Sequence, residues 1–552
     1  MALRSAALAA AAVVSLALAG PASAANRYID DSGSDAGANN CQNAAAPCKT
    51  INYALSVGSS TDTYLVGGGS YPEQVGPIGG SASLMDSNFK PPATAGAAVI
   101  DGGAGVGITS MTSGVISGLT VRGDSHAIQV NGGSPTISHA IFDDPDQNTG
   151  GRVDVTSTAS ATIDSSAFHG VAGTTNDAAV FVQTTGHVTV ARSTLEHFNR
   201  GVYSQQASST TVRDSAITFH QGIAATEGDG IAIQAGTGTI LRNRVTAEAG
   251  FFTEGVVLNG GDMAMHGNAI SGSGLAGVGL NAPGHLVTMD SDVVTGNRPG
   301  IRVSNASTGL KLVNETVAGN PSPSQVSSAS SVSIDSSIVG SGGVSATGGC
   351  TITFSRGPTT AGNSCQKFQT SADPRFVSAN DFHLKLSSPL IDTGNPLPPA
   401  AGAQDADGRL RALDGNRDCI VRRDMGAYEF VAKPCVRPKC KLKPKSSNVP
   451  LTGKNRGRVR LKATCKQKVG ATLIGTLKVK QGGKTKSVSL GPVSAVLKRN
   501  VSKTLKLKLP KSALKALANG AKESARFKLT AKNANGATGT AKARIKHLAA
   551  VP

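Results

Sequence analysis

A repeat of bounded length runs through the middle of this chain and leaves few folds open to it. Aligning Ile163, Val190, Val212, Ile240, Met265, Met289, Leu312 and Ile334 gives steps of 27, 22, 28, 25, 24, 23 and 22 residues. In each unit another apolar residue follows five positions later: Phe168, Leu195, Ile217, Val245, Ile270, Val294, Val317 and Val339. Short polar corners such as Asp164-Ser165-Ser166 and His266-Gly267-Asn268 separate the two. A further strand recurs in the same frame, often entered by glycine, as in Gly230-Ile231-Ala232-Ile233 and Gly255-Val256-Val257-Leu258. Alternation with period two marks a half-buried strand. Units of two or three short strands cannot bury their apolar faces alone and must stack on copies of themselves. The expectation is an all-β solenoid. A β-sandwich of many hairpins is the rival, but it asks for no fixed unit length.

In a solenoid, equivalent residues of successive coils lie one above another at the inter-strand spacing of about 4.8 Å. The outward column of the glycine-led strand reads Gln129, Asp154, Phe181, Tyr203, Ala232, Val257, Gly279, Arg302. Phe181 and Tyr203 are candidates for a sugar-stacking platform, against an aromatic pair that only steadies neighbouring coils. Asp154 and Arg302 lie six coils apart, too far for one reaction centre. Two residues before the inward position, the column reads His126, Gly151, Ala178, Arg200, Asp229, Glu254, Ala276, Pro299. Arg200, Asp229 and Glu254, on three consecutive coils, are the candidate catalytic residues, with Tyr203, His220 and Glu227 near them in the frame. Stacked carboxylates can hold calcium through oxygen ligands, or split their pKa values into an acid and a base. The alternative is an Arg200–Asp229 pair on a solvated edge. One residue of slip would disperse the column.

Three other polar groups invite reading. Ser166, Ser193, Ser215, Asn243, Asn268 and Ser337 form a column expected to bond backbone at the solenoid corners. Asp143-Asp144-Pro145-Asp146 reads as a solvated turn. Asp414-x-Asn416-x-Asp418 has the alternating oxygens of a calcium loop without a closing glutamate, or is an Asp/Asn-rich turn pinned by Cys419.

The two ends of the chain differ from its middle. Residues 1–24 carry Arg4, an apolar run from Ala6 to Leu18 and the small residues Gly20-Pro21-Ala22-Ser23-Ala24, which predicts a signal peptide and a secreted or cell-surface protein. No later run has the roughly twenty apolar residues of a transmembrane helix. Eight cysteines fall into local couples: Cys41 with Cys48, Cys350 with Cys365, Cys419 with Cys435 and Cys440 with Cys465. An even count in an exported chain reads as disulfides, although spacing alone does not fix the pairing. From Val436 to Pro552, thirty Lys and Arg face a single acid, Glu523; subtracting that +29 from the whole-chain +19 leaves −10 before it.

Within this basic part, alternation at 459–463, 477–480, 505–509 and 527–530 predicts a small immunoglobulin-like β-sandwich, with turns at Gly482-Gly483 and Asn533-Ala534-Asn535-Gly536. One helical turn is expected from Ser512 to Asn519, capped by the serine. Lysines on the polar faces attract polyanions such as cell-wall polymers, acidic polysaccharide or extracellular DNA, or simply maintain solubility. Phe527 is this part's sole aromatic, which disfavours nucleic acid, because bases want stacking partners.

The opening Tyr28-Ile29-Asp30-Asp31-Ser32-Gly33-Ser34-Asp35, with Pro47-Cys48-Lys49-Thr50-Ile51, Tyr64-Leu65-Val66 and Gly69-Ser70-Tyr71, resembles the start of pectate-lyase-like right-handed β-helix proteins. The segments Asp373-Pro374-Arg375-Phe376, Ser388-Pro389-Leu390-Ile391-Asp392-Thr393-Gly394 and Asp424-Met425-Gly426-Ala427-Tyr428-Glu429 resemble the closing region of bacterial choice-of-anchor Q surface proteins. The resemblance covers most of residues 26–435 and implies an N-terminal cap and first coils over 26–110, a right-handed parallel β-helix over 111–345 and a disulfide-bearing closing region over 346–435, with the basic β-sandwich read from its own alternation over 436–552. The dense Asp/His/Arg motifs of pectate lyases and polygalacturonases are missing, so none of their catalytic residues carries over. The expectation is a monomeric, non-enzymatic surface protein contacting extracellular polysaccharide or an anionic cell-wall polymer, with calcium as a candidate cofactor. The second reading is a polysaccharide lyase or glycoside hydrolase working in the β-helix groove. The lack of tryptophan disfavours neutral glycans and favours acidic ones.

Overall fold

The computed structural model describes residues 24–88, 96–143, 153–171, 178–221, 228–248, 252–358, 368–397, 399–400 and 403–552. The leader residues before Ala24, together with Asp144, Asp146, Gly151, Glu227 and Cys365, lie outside them.

Three long parallel sheets of 14, 12 and 12 strands wrap one core, and each coil gives one strand to each sheet in turn. The register follows the repeat: Ile163, Val190, Val212, Ile240, Met265, Met289, Leu312 and Ile334 pair in succession in the first sheet. Phe168 through Val339 do the same in the second. Both columns are buried in a continuous apolar core. A slip of one residue would turn that column out to solvent, so burial itself fixes the register.

The corner between these two sheets is a sharp turn, and a left-handed residue makes it in coil after coil. His139, Ser165, Arg192, Asp214, Arg242, Ser291, Asn314 and Ser336 all have φ between 48° and 68° there. Such backbone costs a side-chain-bearing residue about 1–2 kcal/mol. The residue that follows offsets it with buried hydrogen bonds. The side chains of Ser193, Ser215, Asn243, Asn268, Asp292, Glu315, Ser337 and Ser355 each accept the backbone N–H of the ladder residue one coil earlier. The six-member column read from sequence is thus part of a nine-rung ladder running from Ser166 to Ser355, and two of its buried rungs are acids.

In the coils that carry Asp229 and Glu254, the glycine that enters the third-sheet strand is forced by space. A Cβ on Gly230 would lie 2.3 Å from Val245 Cγ1 and 2.6 Å from Gly255 O; one on Gly255 would lie 2.4 Å from Ile270 Cγ2. With that position given to a glycine packed against the core, the residue before it, Asp229 or Glu254, stands beside the outer face.

At the N-terminal end, Arg27 and Asp62 form a buried ion pair at 2.7 Å. Helix α1 (Ile51–Val57) packs on the first strands, with the Thr50 hydroxyl accepting the Tyr53 N–H and the Glu73 carboxylate accepting those of Ile51 and Asn52. Cys41 is bonded to Cys48, Cys419 to Cys435 and Cys440 to Cys465. In the closing region the fully buried Arg411 donates to the carbonyls of Gly426 and Ala427, to Glu429 and to Ser291 Oγ of the coil beneath. Asp392 and Asp424 accept backbone N–H groups of the loops they join.

The basic part folds as two sheets. Cys440–Pro444, Arg458–Cys465 and Lys503–Lys508 make one; Asn448–Pro450, Thr538–Val551, Lys522–Lys532, Val469–Gln481 and Lys484–Leu497 make the other. Gly482 and Gly483, at φ 56° and 77°, form the tight turn their dipeptide predicts. The helical turn expected from Ser512 is a two-turn helix, α2 (Lys511–Ala518), and the serine does not cap it. Pro510 precedes the helix and no side chain bonds its first amides.

Candidate functional site

The third sheet carries the outward column in the register expected: Gln129, Asp154, Phe181, Tyr203, Ala232, Val257, Gly279 and Arg302 pair in succession. Side-chain size along it shapes the surface. Tyr203 and Arg302 are large, whereas Ala232, Val257 and Gly279 between them are small or absent. The result is a trough of about 590 Å³ walled by Tyr203 at one end and Arg302 at the other.

Arg200, Asp229 and Glu254 also pair in succession, and all three line this trough. Arg200 Nε donates to Asp229 Oδ2 at 3.3 Å, and its guanidinium lies 4.3 Å from the Tyr203 ring centroid. Tyr203 in turn tilts against Phe181 with centroids 5.7 Å apart. The expected solvated edge is corrected in one respect: Asp229 is only 3% exposed and Glu254 4%. These carboxylates are held in the trough wall. His220 does not join them, since both its ring nitrogens lie at backbone carbonyls, of Gln221 and His197.

Two features escaped the sequence reading. Glu254 reaches over its neighbouring coil to the next: Arg302 donates to Glu254 Oε1 at 2.6 Å. The passage exists because residue 279 is glycine, where a Cβ would sit 2.6 Å from Glu254 Oε1. Arg302 is six coils from Asp154, yet it is two coils from Glu254. The second feature is a polar track at the C-terminal ends of the third-sheet strands. Asn131, Thr156, Gln183, Gln205, Gln234, Asn259, Asn281 and Ser304 follow the paired residues Val130, Val155, Val182, Ser204, Ile233, Leu258, Leu280 and Val303. Neighbouring rungs bond each other, Thr156 to Asn131 at 2.8 Å and Asn259 to Gln234 at 2.6 Å. The last five rungs line the trough.

Beyond the trough, Asp154 faces His126 Nε2 at 3.3 Å, and burial pushes its carboxyl up to about 6. Asp143 pairs with Arg122 and His169. Asp414, Asn416 and Asp418 form a compact turn in which Asp414 accepts the N–H groups of Asp418 and Cys419, Asn416 accepts that of Asp418, and Asp418 accepts that of Ile420. Among the described residues, the one cluster of three potential metal-ligating side chains is Asp414 with Cys419 and Cys435. Those two sulfurs are bonded to each other.

Among the described residues no helix is long and apolar enough to cross a membrane. The family model for the right-handed β-helix region matches residues 104–252 and 178–365. Comparison with curated proteins gives no significant match. Among solved structures, pectate lyase Pel9A is similar over 74% of this chain and 96% of its own, at 14% identity and a TM-score of 0.33. A rhamnogalacturonan lyase is similar over 64% and 91%, at 11% identity and a TM-score of 0.26. At those values neither likeness says anything of chemistry. The pairing of the coils, together with the family model, makes this chain a right-handed parallel β-helix followed by a small β-sheet domain.

Proposed function

We propose that this is an exported β-helix protein that holds an acidic extracellular polysaccharide along the third-sheet trough without cleaving it. The observation that carries the reading is the track of carboxamides and hydroxyls beside two Arg–carboxylate pairs. Gln205, Gln234, Asn259, Asn281 and Ser304 recur once per coil, at a spacing of about 4.8 Å that is close to the length of a sugar ring. Carboxamides offer both donors and acceptors to hydroxyls. Arg200 and Arg302 offer planar forks for sugar carboxylates, and the Phe181–Tyr203 pair gives a ring a face to rest on. Each trough carboxylate is already tied to a guanidinium.

Turnover is the second reading, favoured by one observation, the stacking of Asp229 and Glu254 on adjacent coils. In the first reading Asp414, Asn416 and Asp418 shape their own turn, and binding is indifferent to calcium. The test is retention of the full chain on immobilised polygalacturonate. Tyr203→Ala and Gln234→Ala are each expected to weaken it about tenfold, or about 1.4 kcal/mol. Unchanged retention in both variants would remove the trough from the account.

A further inference from the structure

The basic domain carries a second concave surface, unrelated to the trough. The loop from Leu451 to Gly457 and helix α2 enclose a groove of about 760 Å³. Its floor is apolar: Leu509 is buried, and Leu451 and Leu514 are half-buried. Its rim holds six exposed cations, Lys454, Arg456, Arg458, Lys508, Lys511 and Lys515, and no carboxylate. Arg458 and Lys508 stand directly opposite each other on paired antiparallel strands. Lys511 and Lys515 are one helical turn apart. Like charges in both relations are destabilising. Nothing nearby relieves them, since no Lys or Arg after residue 436 takes part in an ion pair among the described residues, and the domain's one acid, Glu523, is buried. An arrangement that opposes its own folding in the absence of an anion is relieved when an anion binds.

We infer that this groove docks an anionic polymer built of polyol phosphates. Charge complementarity asks for a ligand with repeated negative groups. In this domain the one aromatic ring, Phe527, is buried, which removes the platform that bases and sugar rings use. An acyclic chain needs no such platform: its phosphates meet the lysine ammoniums as point charges, and its carbon backbone lies on Leu451, Leu509 and Leu514. The trough of the β-helix takes no part in this contact.

The test uses the full chain with poly(glycerol phosphate) as probe, measured by calorimetry at low and raised salt. Polygalacturonate and single-stranded DNA serve as comparison arms. K454Q/R456Q/K511Q is expected to weaken poly(glycerol phosphate) binding at least tenfold and to flatten its salt dependence. A matched triple on strands of the five-stranded sheet, K478Q/K480Q/K528Q, is expected to change it less than threefold, and Tyr203→Ala not at all. Equal weakening by both triples would make the domain a diffuse cationic surface and overturn the assignment. So would tighter binding of DNA, tighter binding of polygalacturonate by the Tyr203→Ala chain, in which the trough is weakened, or the absence of poly(glycerol phosphate) binding by the unaltered chain.

Discussion

Glu523 offers a stability test whose size can be worked from its surroundings. Its side chain is inside the basic domain at 2% exposure, and neither oxygen has a hydrogen-bond partner. Burial pushes its carboxyl from 4.5 up to about 7. In the unfolded chain the group ionises near 4.5, whereas in the folded chain it keeps its proton to about 7. Between those values the folded state binds more protons, so stability falls as pH rises, and it is level on either side. The fall amounts to roughly 3 kcal/mol, at about 1.4 kcal/mol per pH unit. Glu523→Gln removes the titration and is expected to flatten the curve, leaving the variant more stable than the parent at pH 8 and close to it at pH 4. The assay is hydrogen exchange of peptides covering 469–481 and 522–532 in the full chain, corrected for intrinsic exchange. Loss of protection from pH 4.5 to 7 in the parent, absent in the variant, is the expected result. Parallel curves would mean that the field of thirty cations keeps Glu523 ionised in the fold, and the reasoning from desolvation would fail.

Other consequences follow from single groups. Arg411→Met strips a fully buried guanidinium from Glu429 and Ser291 and is expected to cost about 3–5 kcal/mol in chemical denaturation followed at the closing region; a loss below 1 kcal/mol would contradict its role as the tie to the coil beneath. Burial alone would lower the pKa of His383, but its hydrogen bonds to Asp407 and Asp381 raise it above 6.5. Its contribution is therefore full below pH 6.5 and lost as pH rises through the raised value, and exchange of the 376–391 segment should increase across that range in the parent but not in His383→Gln. Gly279→Ala puts a methyl 2.6 Å from Glu254 Oε1 and should weaken polysaccharide retention, with little further effect once Arg302→Gln is in place; additive losses would show that the Glu254–Arg302 pair is irrelevant.

The solenoid was legible because stacking forces one period on every coil, so inward Ile, Val and Met columns announce register as well as fold. The outward column was equally legible, since it shares that register. Two kinds of information were not. Glu254 and Arg302 meet across an intervening coil, and only the missing Cβ of Gly279 allows it; a column read one coil at a time does not contain that contact. The polar track from Asn131 to Ser304 looks in sequence like ordinary corner residues, because carboxamides at strand ends serve turns as readily as ligands. The acids of the corner ladder, Asp292 and Glu315, were hidden for the opposite reason. Buried carboxylates are rare, so in the sequence the column shows only its serines and asparagines. The start of the helix after Pro510 follows the proline and not the serine that a capping pattern suggests, because the proline sets where the strand stops.

The most direct test of the central claim is incubation of the full chain with acidic and neutral polysaccharides, with and without calcium, following reducing ends and unsaturated products alongside retention. The account predicts retention of acidic polymer without products, lost on Tyr203→Ala and unaffected by calcium. Product formation that disappears in Glu254→Gln would contradict it and make the stacked carboxylates of the trough a catalytic pair.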